Sequence, residues 1–421
     1  MNPSPVFSAV AGALFFLQSA AIQAADWPAY RGPNGDGIST EKLNLDWSAR
    51  PPKVLWKVPT TTGFSSFAVG GGKAFTQVVR DIGGVPREIC VALDATTGKE
   101  LWAADLAAGK GGYGGGGPGD GPRSTPAVSD GMVYVLTPDL VIHALDSATG
   151  KPHWSHDLVA EHAAVNIKWS SAASPVIDGD LVFVMGGGPD QSLLAFNKKS
   201  GQVVWKTGTE AITHATPVVA TILGERQVIF FCQSGLVSLA PKDGKLLWKL
   251  PYNFKTSTAA SPVVSGDIVY CSAGYNVGGG ACKITKEGDS FTATPLWQTP
   301  GNKDVPNHWS TPVCKDGYLY GMFSHNQQNV GPLKCVEIAT GAIKWTQPGF
   351  GVGNTILADG KVLALADSGD LVVVEASPES YKELARFKAV AGKCWSTPAV
   401  SNGCLFVRST EEGTCLEVLA P

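Results

Sequence analysis

Eight side chains in this sequence could bind a ligand by stacking or by charge. They stand at or near the third residue before the proline position of a recurring phrase, copies of which read STPAVSDG and ASPVIDGD. Aromatic rings offer flat apolar faces, and arginine and histidine offer cationic or hydrogen-bonding groups, so the set favours a flat anionic ligand. The eight are Phe64, Arg123, Trp169, His214, His308, Trp309, Asn354 and Trp395. Alternatively, some of these side chains simply plug a central channel.

No catalytic group or metal site can be placed by spacing. The sequence offers neither a Ser-His-Asp arrangement nor paired carboxylates at a recognisable spacing. The glycine-rich insertion at 109–121 is no phosphate loop, because Gly111 follows Gly109-Lys110, and we interpret it as a loop on one face. The NGDG phrase at 34–37 lacks the ligands of a calcium loop and is predicted to be a turn. His153-x-x-His156 alone is too sparse for zinc.

The cysteines leave two interpretations open. Nine are present, with no C-x-x-C motif and no adjacent pair. Cys271 and Cys282 are expected on neighbouring strands of one repeat, as are Cys404 and Cys415. Each pair is either a disulfide or two small buried apolar side chains.

Two phrases repeat along the chain and predict the elements that position these residues. ALDATTGKELW (92–102) returns as ALDSATGKPHW (144–154), and each copy reads as strand, glycine turn and strand. The second phrase, which carries the proline, is also strand, turn, strand and occurs eight times. The first phrase brings a tryptophan at Trp56, Trp102, Trp154, Trp205, Trp248, Trp297 and Trp345, with Phe387 in the eighth copy.

The repeat predicts an all-β fold, an eight-bladed β-propeller of four-stranded antiparallel blades over residues 51–421. A unit of four strands recurring every 42 to 52 residues buries its faces only against its neighbours. Trp56 precedes any innermost strand, and the last unit, 396–421, ends after its third strand. The strand at 54–58 is therefore expected to complete the last blade and close the ring. The seven tryptophans are expected to pack between blades.

The tryptophan phrase resembles the docking motif of quinoprotein propellers, which are built from pyrroloquinoline quinone (PQQ)-like repeats. The chain is similar to that superfamily, which includes the outer-membrane assembly factor BamB. The resemblance implies the propeller fold and, in the dehydrogenase members, PQQ with a calcium ion held by Glu, Asn and Asp. It also implies an Asp base and, in the alcohol-oxidising members, a vicinal Cys-Cys disulfide. This sequence has no Cys-Cys and no carboxylate run before the innermost strands, so no cofactor is predicted.

Composition and the N-terminus indicate where the protein acts. A net charge of −3, a pI near 6.2 and the lack of a basic cluster argue against nucleic-acid binding. The apolar run Val6–Ala21 predicts a signal peptide at 1–24 that is cleaved after Ala24, although its first residues hold no Lys or Arg. No cysteine adjoins the cleavage point, so no lipid anchor is expected. After this run no stretch is long enough for a membrane helix.

These observations predict an exported, monomeric binding module of the periplasm or cell envelope, BamB-like, whose partners are other envelope proteins. A PQQ-dependent or other quinoprotein-type oxidoreductase is one alternative. A binder of a sugar or cell-wall fragment in the central funnel is another. Residues 25–50 are expected to be a turn-rich lead-in, of which 26–40 could be trimmed without loss of stability.

Overall fold

A computed structural model describes residues 1, 26–108, 120–256, 258–301, 305–323 and 330–420. The predicted signal peptide and most of the insertion at 109–121 lie outside these residues. Within them the chain forms eight sheets, each with four antiparallel strands, and one sheet carries an additional parallel strand. Most innermost strands contact that of the next blade, and the first contacts the last. The predicted eight-bladed propeller is therefore confirmed.

The strands follow the two phrases of the repeat. The lead-in contributes β1 (Ile38–Ser39), and β2 (Lys53–Pro59) follows it. Blade 1 contains β3 (Ala68–Gly70), β4 (Lys73–Ile82), β5 (Val85–Asp94) and β6 (Glu100–Ala108); blade 2 contains β7 (Ala127–Ser129), β8 (Met132–Leu136), β9 (Val141–Asp146) and β10 (Pro152–Asp157). Blade 3 contains β11 (Val176–Asp178), β12 (Leu181–Gly188), β13 (Gln191–Asn197) and β14 (Val203–Thr207); blade 4 contains β15 (Val218–Ile222), β16 (Glu225–Cys232), β17 (Gly235–Leu239) and β18 (Leu246–Pro251).

The second half repeats this arrangement. Blade 5 contains β19 (Val263–Ser265), β20 (Ile268–Ala273), β21 (Gly278–Glu287) and β22 (Ser290–Pro300); blade 6 contains β23 (Val313–Lys315), β24 (Tyr318–Met322), β25 (Leu333–Glu337) and β26 (Ile343–Gln347). Blade 7 contains β27 (Asn354–Ala358), β28 (Lys361–Leu365), β29 (Asp370–Glu375) and β30 (Glu383–Lys388); blade 8 contains β31 (Ala399–Ser401), β32 (Cys404–Arg408), β33 (Glu412–Glu417) and β2. A short helix, α1 (Leu158–His162), joins blades 2 and 3.

Local hydrogen bonds explain why the tryptophan phrase folds as a turn. The Asp94 carboxylate accepts hydrogen bonds from the backbone N–H groups of Thr96 and Thr97 and from the Thr97 hydroxyl. Gly98 follows at φ +71°, which is the left-handed region that glycine enters without strain. The same bonds recur around Asp146. The phrase therefore fixes the turn between the third and fourth strands of a blade.

Each tryptophan of the phrase lies where two blades meet. The indole N–H of Trp56 donates to the carbonyl of Ala95 in blade 1 at 2.9 Å, and that of Trp102 donates to Ser147 in blade 2 at 3.1 Å. Equivalent bonds to the following blade form at Trp154, Trp205, Trp297 and Trp345. Trp248 differs, because its indole bonds to the Gln227 side chain within its own blade.

A belt of hydroxyl groups joins the innermost strands and accounts for the Ser or Thr before the proline position. The backbone N–H of Thr397 donates to the hydroxyl of Ser66, and that of Ser66 donates to Thr125. The series continues from Thr125 to Ser174 and from Ser174 to Thr216. Each bond satisfies a buried backbone donor by means of the next blade.

Strand β2 closes the ring as expected. It pairs antiparallel with β33, and Trp56 lies opposite Cys415. The buried guanidinium of Arg408 also crosses from blade 8 to blade 1, where it donates to the Thr76 hydroxyl at 2.6 Å and to the Gln77 carbonyl at 2.9 Å. Burial lowers the Arg408 pKa to about 9. Pairing and side-chain bonds therefore both hold the junction.

One detail of the predicted repeat was wrong. Phe387 does not occupy the tryptophan position of blade 7, because Ala385 lies there, opposite Val373, and Phe387 lies two residues further along, opposite Leu371. Trp47 of the lead-in packs edge-on against Phe387 at 6.5 Å between ring centroids, so an aromatic side chain comes from elsewhere in the chain.

The lead-in is an integral part of the fold, contrary to the expectation that 26–40 could be trimmed. Trp27 is buried and bridges to Val69 of blade 1. The buried Arg31 donates to the carbonyls of Thr311 and Pro312 at 2.7 and 2.8 Å. Strand β1 then adds to β27 of blade 7 in parallel. The segment thus crosses the end of the channel and joins distant blades.

The structure also answers the question about cysteines and membrane helices. All nine cysteines are free thiols, and both candidate pairs are therefore of the small apolar kind. Within the described ranges no helix is long and apolar enough to cross a membrane.

Candidate functional site

All eight predicted side chains line one cavity at the centre of the ring, which we call the central cavity. Its lining comprises Phe64, Arg123, Trp169, His214, His308, Trp309, Asn354 and Trp395, together with Tyr30 and Tyr275. The eight predicted residues meet because each lies before or at the start of the innermost strand of its blade, and those strands surround the channel. The side chains leave two small spaces of about 70 and 60 Å³, enough for a few water molecules.

Six rings form a continuous aromatic arc along this cavity. Phe64 stacks on Trp395 at 4.7 Å, and Trp395 lies 5.2 Å from Trp309 between ring centroids. The arc continues through His308, 4.4 Å from Trp309, to Tyr275 and then to Trp169. Trp169, Trp309 and Trp395 are only half-buried. Their exposed parts therefore offer apolar, polarisable faces at the opening.

Three cationic side chains flank the arc. The Lys168 ammonium lies 4.8 Å from the Trp169 ring centroid, and that of Lys393 lies 4.7 Å from the Trp395 ring. Arg123 donates to the Trp169 carbonyl and to the Asp120 carboxylate, each at 2.7 Å. Because cations lie beside the exposed rings at both ends of the opening, it is suited to apolar or anionic groups of a partner.

The two histidines are neutral near pH 7. Burial, assisted by Arg123 and His308, lowers the pKa of His214 to about 3, and burial lowers that of His308 to about 3. In the described part of the chain, Nδ1 of each ring and Oδ1 of Asn354 are buried without a hydrogen-bond partner. These atoms can therefore donate or accept within the cavity, but they supply no charge.

The backbone beneath the arc is held in an uncommon conformation. Trp169 and Ser170 have φ values of +71° and +63°, and Tyr275 and Asn276 have values of +53° and +68°. Such conformations cost free energy in residues other than glycine and occur often at ligand-binding sites. Both strained pairs present the rings that stack on each other, Trp169 on Tyr275 at 5.7 Å.

Sequence reasoning missed four members of the site. Tyr275, Lys168 and Lys393 stand outside the aligned position before the innermost strand, although Lys168 and Lys393 are close to predicted residues in the sequence. Tyr30 belongs to the lead-in and lines the cavity from the other end of the channel. Proximity to Trp169 and Trp395 was the one available signal, and it applied only to the lysines.

The residues present do not fit a calcium-bound quinone. Calcium takes six to eight oxygen ligands, mostly from carboxylates and carbonyls. No Asp or Glu belongs to the lining of the central cavity as described. Across the described residues, no group of three or more His, Cys, Asp or Glu side chains is placed to hold a metal ion. Asp120, the acidic group nearest in the chain to this lining, pairs with Arg123.

Fold and site define the class as an eight-bladed propeller of PQQ-like repeats with an aromatic central cavity. A model of the family described as outer membrane protein assembly factor BamB matches residues 86–347. The chain therefore belongs to that family.

Individual relatives fall into two groups. BamB of Yersinia pestis is 23% identical over 282 residues, covering 65% of this chain and 67% of that protein. The quinoprotein ethanol dehydrogenase of Pseudomonas aeruginosa is 28% identical over 265 residues, which cover 53% of this chain. The chain spans only 40% of that dehydrogenase and 58% of BamB from Burkholderia pseudomallei.

Solved structures agree on the fold. BamB from Moraxella catarrhalis superposes with a TM-score of 0.60 at 14% identity, covering 87% of this chain and 99% of that one. The quinohemoprotein alcohol dehydrogenase from Comamonas testosteroni gives 0.64 at 12% identity, covering 96% and 82%. At such identities the likeness shows the propeller fold alone.

Proposed function

We propose that this protein is exported to the cell envelope, where it binds other proteins as a scaffold and does not oxidise substrates with a quinone. The observation that carries the proposal is the chemistry of the central cavity. An enzyme of the quinoprotein type needs a cation that polarises the quinone and a base that takes the substrate proton. The cavity offers aromatic rings, neutral imidazoles and cations instead.

The family supports a role in binding. The relatives named outer membrane protein assembly factor act, by that name, in assembling other proteins. Half-buried tryptophans beside Lys168 and Lys393 are typical of surfaces where a partner's aromatic or acidic groups dock. We therefore place the partner at the opening of the central cavity.

Cross-linking can test this site in living cells. A photo-reactive amino acid replaces exposed Lys168 at the opening, and a matched variant carries it at exposed Leu246 on strand β18. We expect discrete cross-linked envelope proteins from position 168, their loss upon adding Trp309→Ala, and none from position 246. Equal cross-linking from both positions, or an unchanged pattern with Trp309→Ala, would contradict the proposal.

An oxidoreductase is the second candidate, favoured by the match to the quinoprotein ethanol dehydrogenase. The purified protein is mixed with PQQ and calcium, and dye reduction with alcohols and sugars is followed. We expect neither dye reduction nor quenching of tryptophan fluorescence by PQQ. Activity that requires both additions and disappears with Trp309→Ala would establish the enzyme and refute the scaffold.

A further inference from the structure

In three blades, the backbone N–H group at one equivalent position donates a hydrogen bond to the lead-in. The N–H groups of Val69, Val128 and Leu357 donate to the carbonyls of Trp27, Pro28 and Gly37 at 2.7, 2.7 and 2.8 Å. Each of the three donors is the penultimate residue of an innermost strand, in β3, β7 and β27. At this position the N–H group faces away from the rest of its blade, because antiparallel pairs alternate in their bonding. The inner edge of a blade is therefore a place where this protein pairs with an extended chain.

The equivalent positions of three consecutive blades have no such occupant. Ile177, Thr221 and Val264 are the penultimate residues of β11, β15 and β19. Within the described ranges, their N–H groups donate to no other group. Ile177 and Val264 are half-buried and Thr221 is exposed. Unpaired strand edges of this kind are templates for pairing with another chain.

A groove runs beside the central one of these edges. We call it the edge groove; it has a volume of about 340 Å³. Strand β15 forms one wall with Val219 and Thr221, and the lead-in forms the other with Arg31, Asp36 and Ile38. Within the part of the chain that the structure describes, the buried Nε of Arg31 has no hydrogen-bond partner. The groove thus combines an apolar wall around Val219 and Ile38 with unpaired backbone donors on β15.

We propose that the edge groove docks an extended segment of a partner protein, which adds to β15 as an additional strand. The precedent lies in the same molecule, where β1 adds in parallel to β27 and places Ile38 opposite Leu357. Strands β15 and β27 are also the two five-residue innermost strands, whereas the other six have three residues. The inference rests on the proposed binding function and assigns it a surface distinct from the opening of the central cavity.

The edge groove recognises mainly the backbone of the partner segment. Backbone bonds at Val219 and Thr221 supply affinity, and the apolar wall favours a partner with apolar residues at alternate positions. Many extended sequences therefore fit, as suits a protein that handles varied envelope partners.

The probe is a fluorescent, capped heptapeptide of alternating Thr and Val with a Lys at each end. A second peptide of the same sequence carries N-methyl groups on alternate backbone amides, which abolishes strand pairing but keeps the side chains. Binding to the full chain is measured by fluorescence anisotropy. Thr221→Pro removes the outward N–H, and Thr221→Val keeps it, so the two variants form a matched pair.

We expect the unmethylated peptide to bind, with at least tenfold weaker binding for the methylated peptide and for Thr221→Pro, and unchanged binding for Thr221→Val. Hydrogen exchange of the unaltered protein should show new protection in β15, which decides the matter if Thr221→Pro fails to fold. Absent binding, equal binding of both peptides, or protection elsewhere overturns the proposal. The proposal is also overturned if the protein forms a dimer that Thr221→Pro dissociates, because a second copy of the chain then occupies the edge. If only this proposal is wrong, the cross-links formed from position 168 should be unchanged.

Discussion

His214 and His308 show how burial decides the charge of the central cavity. Both imidazoles lie among aromatic side chains and remain neutral near pH 7, because burial lowers their pKa values to about 3. The positive charge at the opening therefore comes from Lys168 and Lys393, and from Arg123, which pairs with Asp120. An anionic or acidic partner should bind there with little pH dependence between pH 6 and 8.

The same histidines should make the fold sensitive to acid. The unfolded chain binds their protons below about pH 6.5 and the folded protein only near pH 3, so stability is present above pH 6.5 and falls as pH decreases. We expect each to cost about 2 kcal/mol of unfolding free energy at pH 5. Urea denaturation should show a shallower loss between pH 7 and 5 for His214→Gln/His308→Gln. The exposed His153→Gln is the control, and equal slopes in all three proteins would contradict this assignment.

Each blade is held to the next by elements that the two phrases encode. The tryptophan on the fourth strand meets the turn of the following blade, and the hydroxyl belt ties the innermost strands together. Gly244 belongs to such a turn, and a Cβ added to it would lie 2.8 Å from the Trp205 ring. Space for the indole therefore requires glycine at this position, in addition to its φ of +71°.

Two glycine substitutions separate these effects. Gly244→Ala meets both the left-handed backbone and the Trp205 ring, whereas Gly131→Ala meets only a φ of +77°, with nothing within 4 Å of the added Cβ. We expect Gly131→Ala to cost about 1–2 kcal/mol of unfolding free energy. Gly244→Ala should cost about 1–3 kcal/mol more, because the tryptophan must move. Chemical denaturation measures both, and equal losses would mean that the blades do not need this contact.

At the scale of the whole molecule, strand β2 closes the ring of blades and the lead-in covers one end of its channel. Strand β2 completes blade 8, and Arg408 bonds across the junction with blade 1. The lead-in then binds blades 1, 2 and 7 across one end of the channel, and the Glu41 carboxylate accepts from the backbone of Asn402 and Gly403 in blade 8. Blades 3 to 5 are left with open inner edges.

Truncations should distinguish the stability contributed by β2, which closes the ring, from that contributed by the lead-in, which covers one end of the channel. A chain that begins at residue 48 keeps β2 but loses the buried Trp27, Arg31 and Trp47, so its thermal midpoint should fall by several degrees relative to a chain that begins at residue 26. A chain that begins at residue 60 also loses β2 and exposes the edge of β33, so it should aggregate. Calorimetry and light scattering report the two effects. Identical midpoints for the first two chains would show that the lead-in does not stabilise the ring.

The sequence by itself determined the number of blades, the ring closure and eight of the residues that line the central cavity. These features follow from hairpins, whose turns are fixed by neighbours such as Asp94 and Thr97, so a repeated phrase predicts a repeated structure. Only the tertiary structure shows that Trp47 packs against Phe387 of blade 7 and that Tyr275 joins the aromatic arc. It also shows that Arg31 bonds to blade 6 at the end of the channel. Arg31 bonds to a carbonyl 280 residues away, and no local pattern encodes such a contact. The same long-range path of the lead-in determines which inner edges remain open, because it pairs with some blades and passes others by.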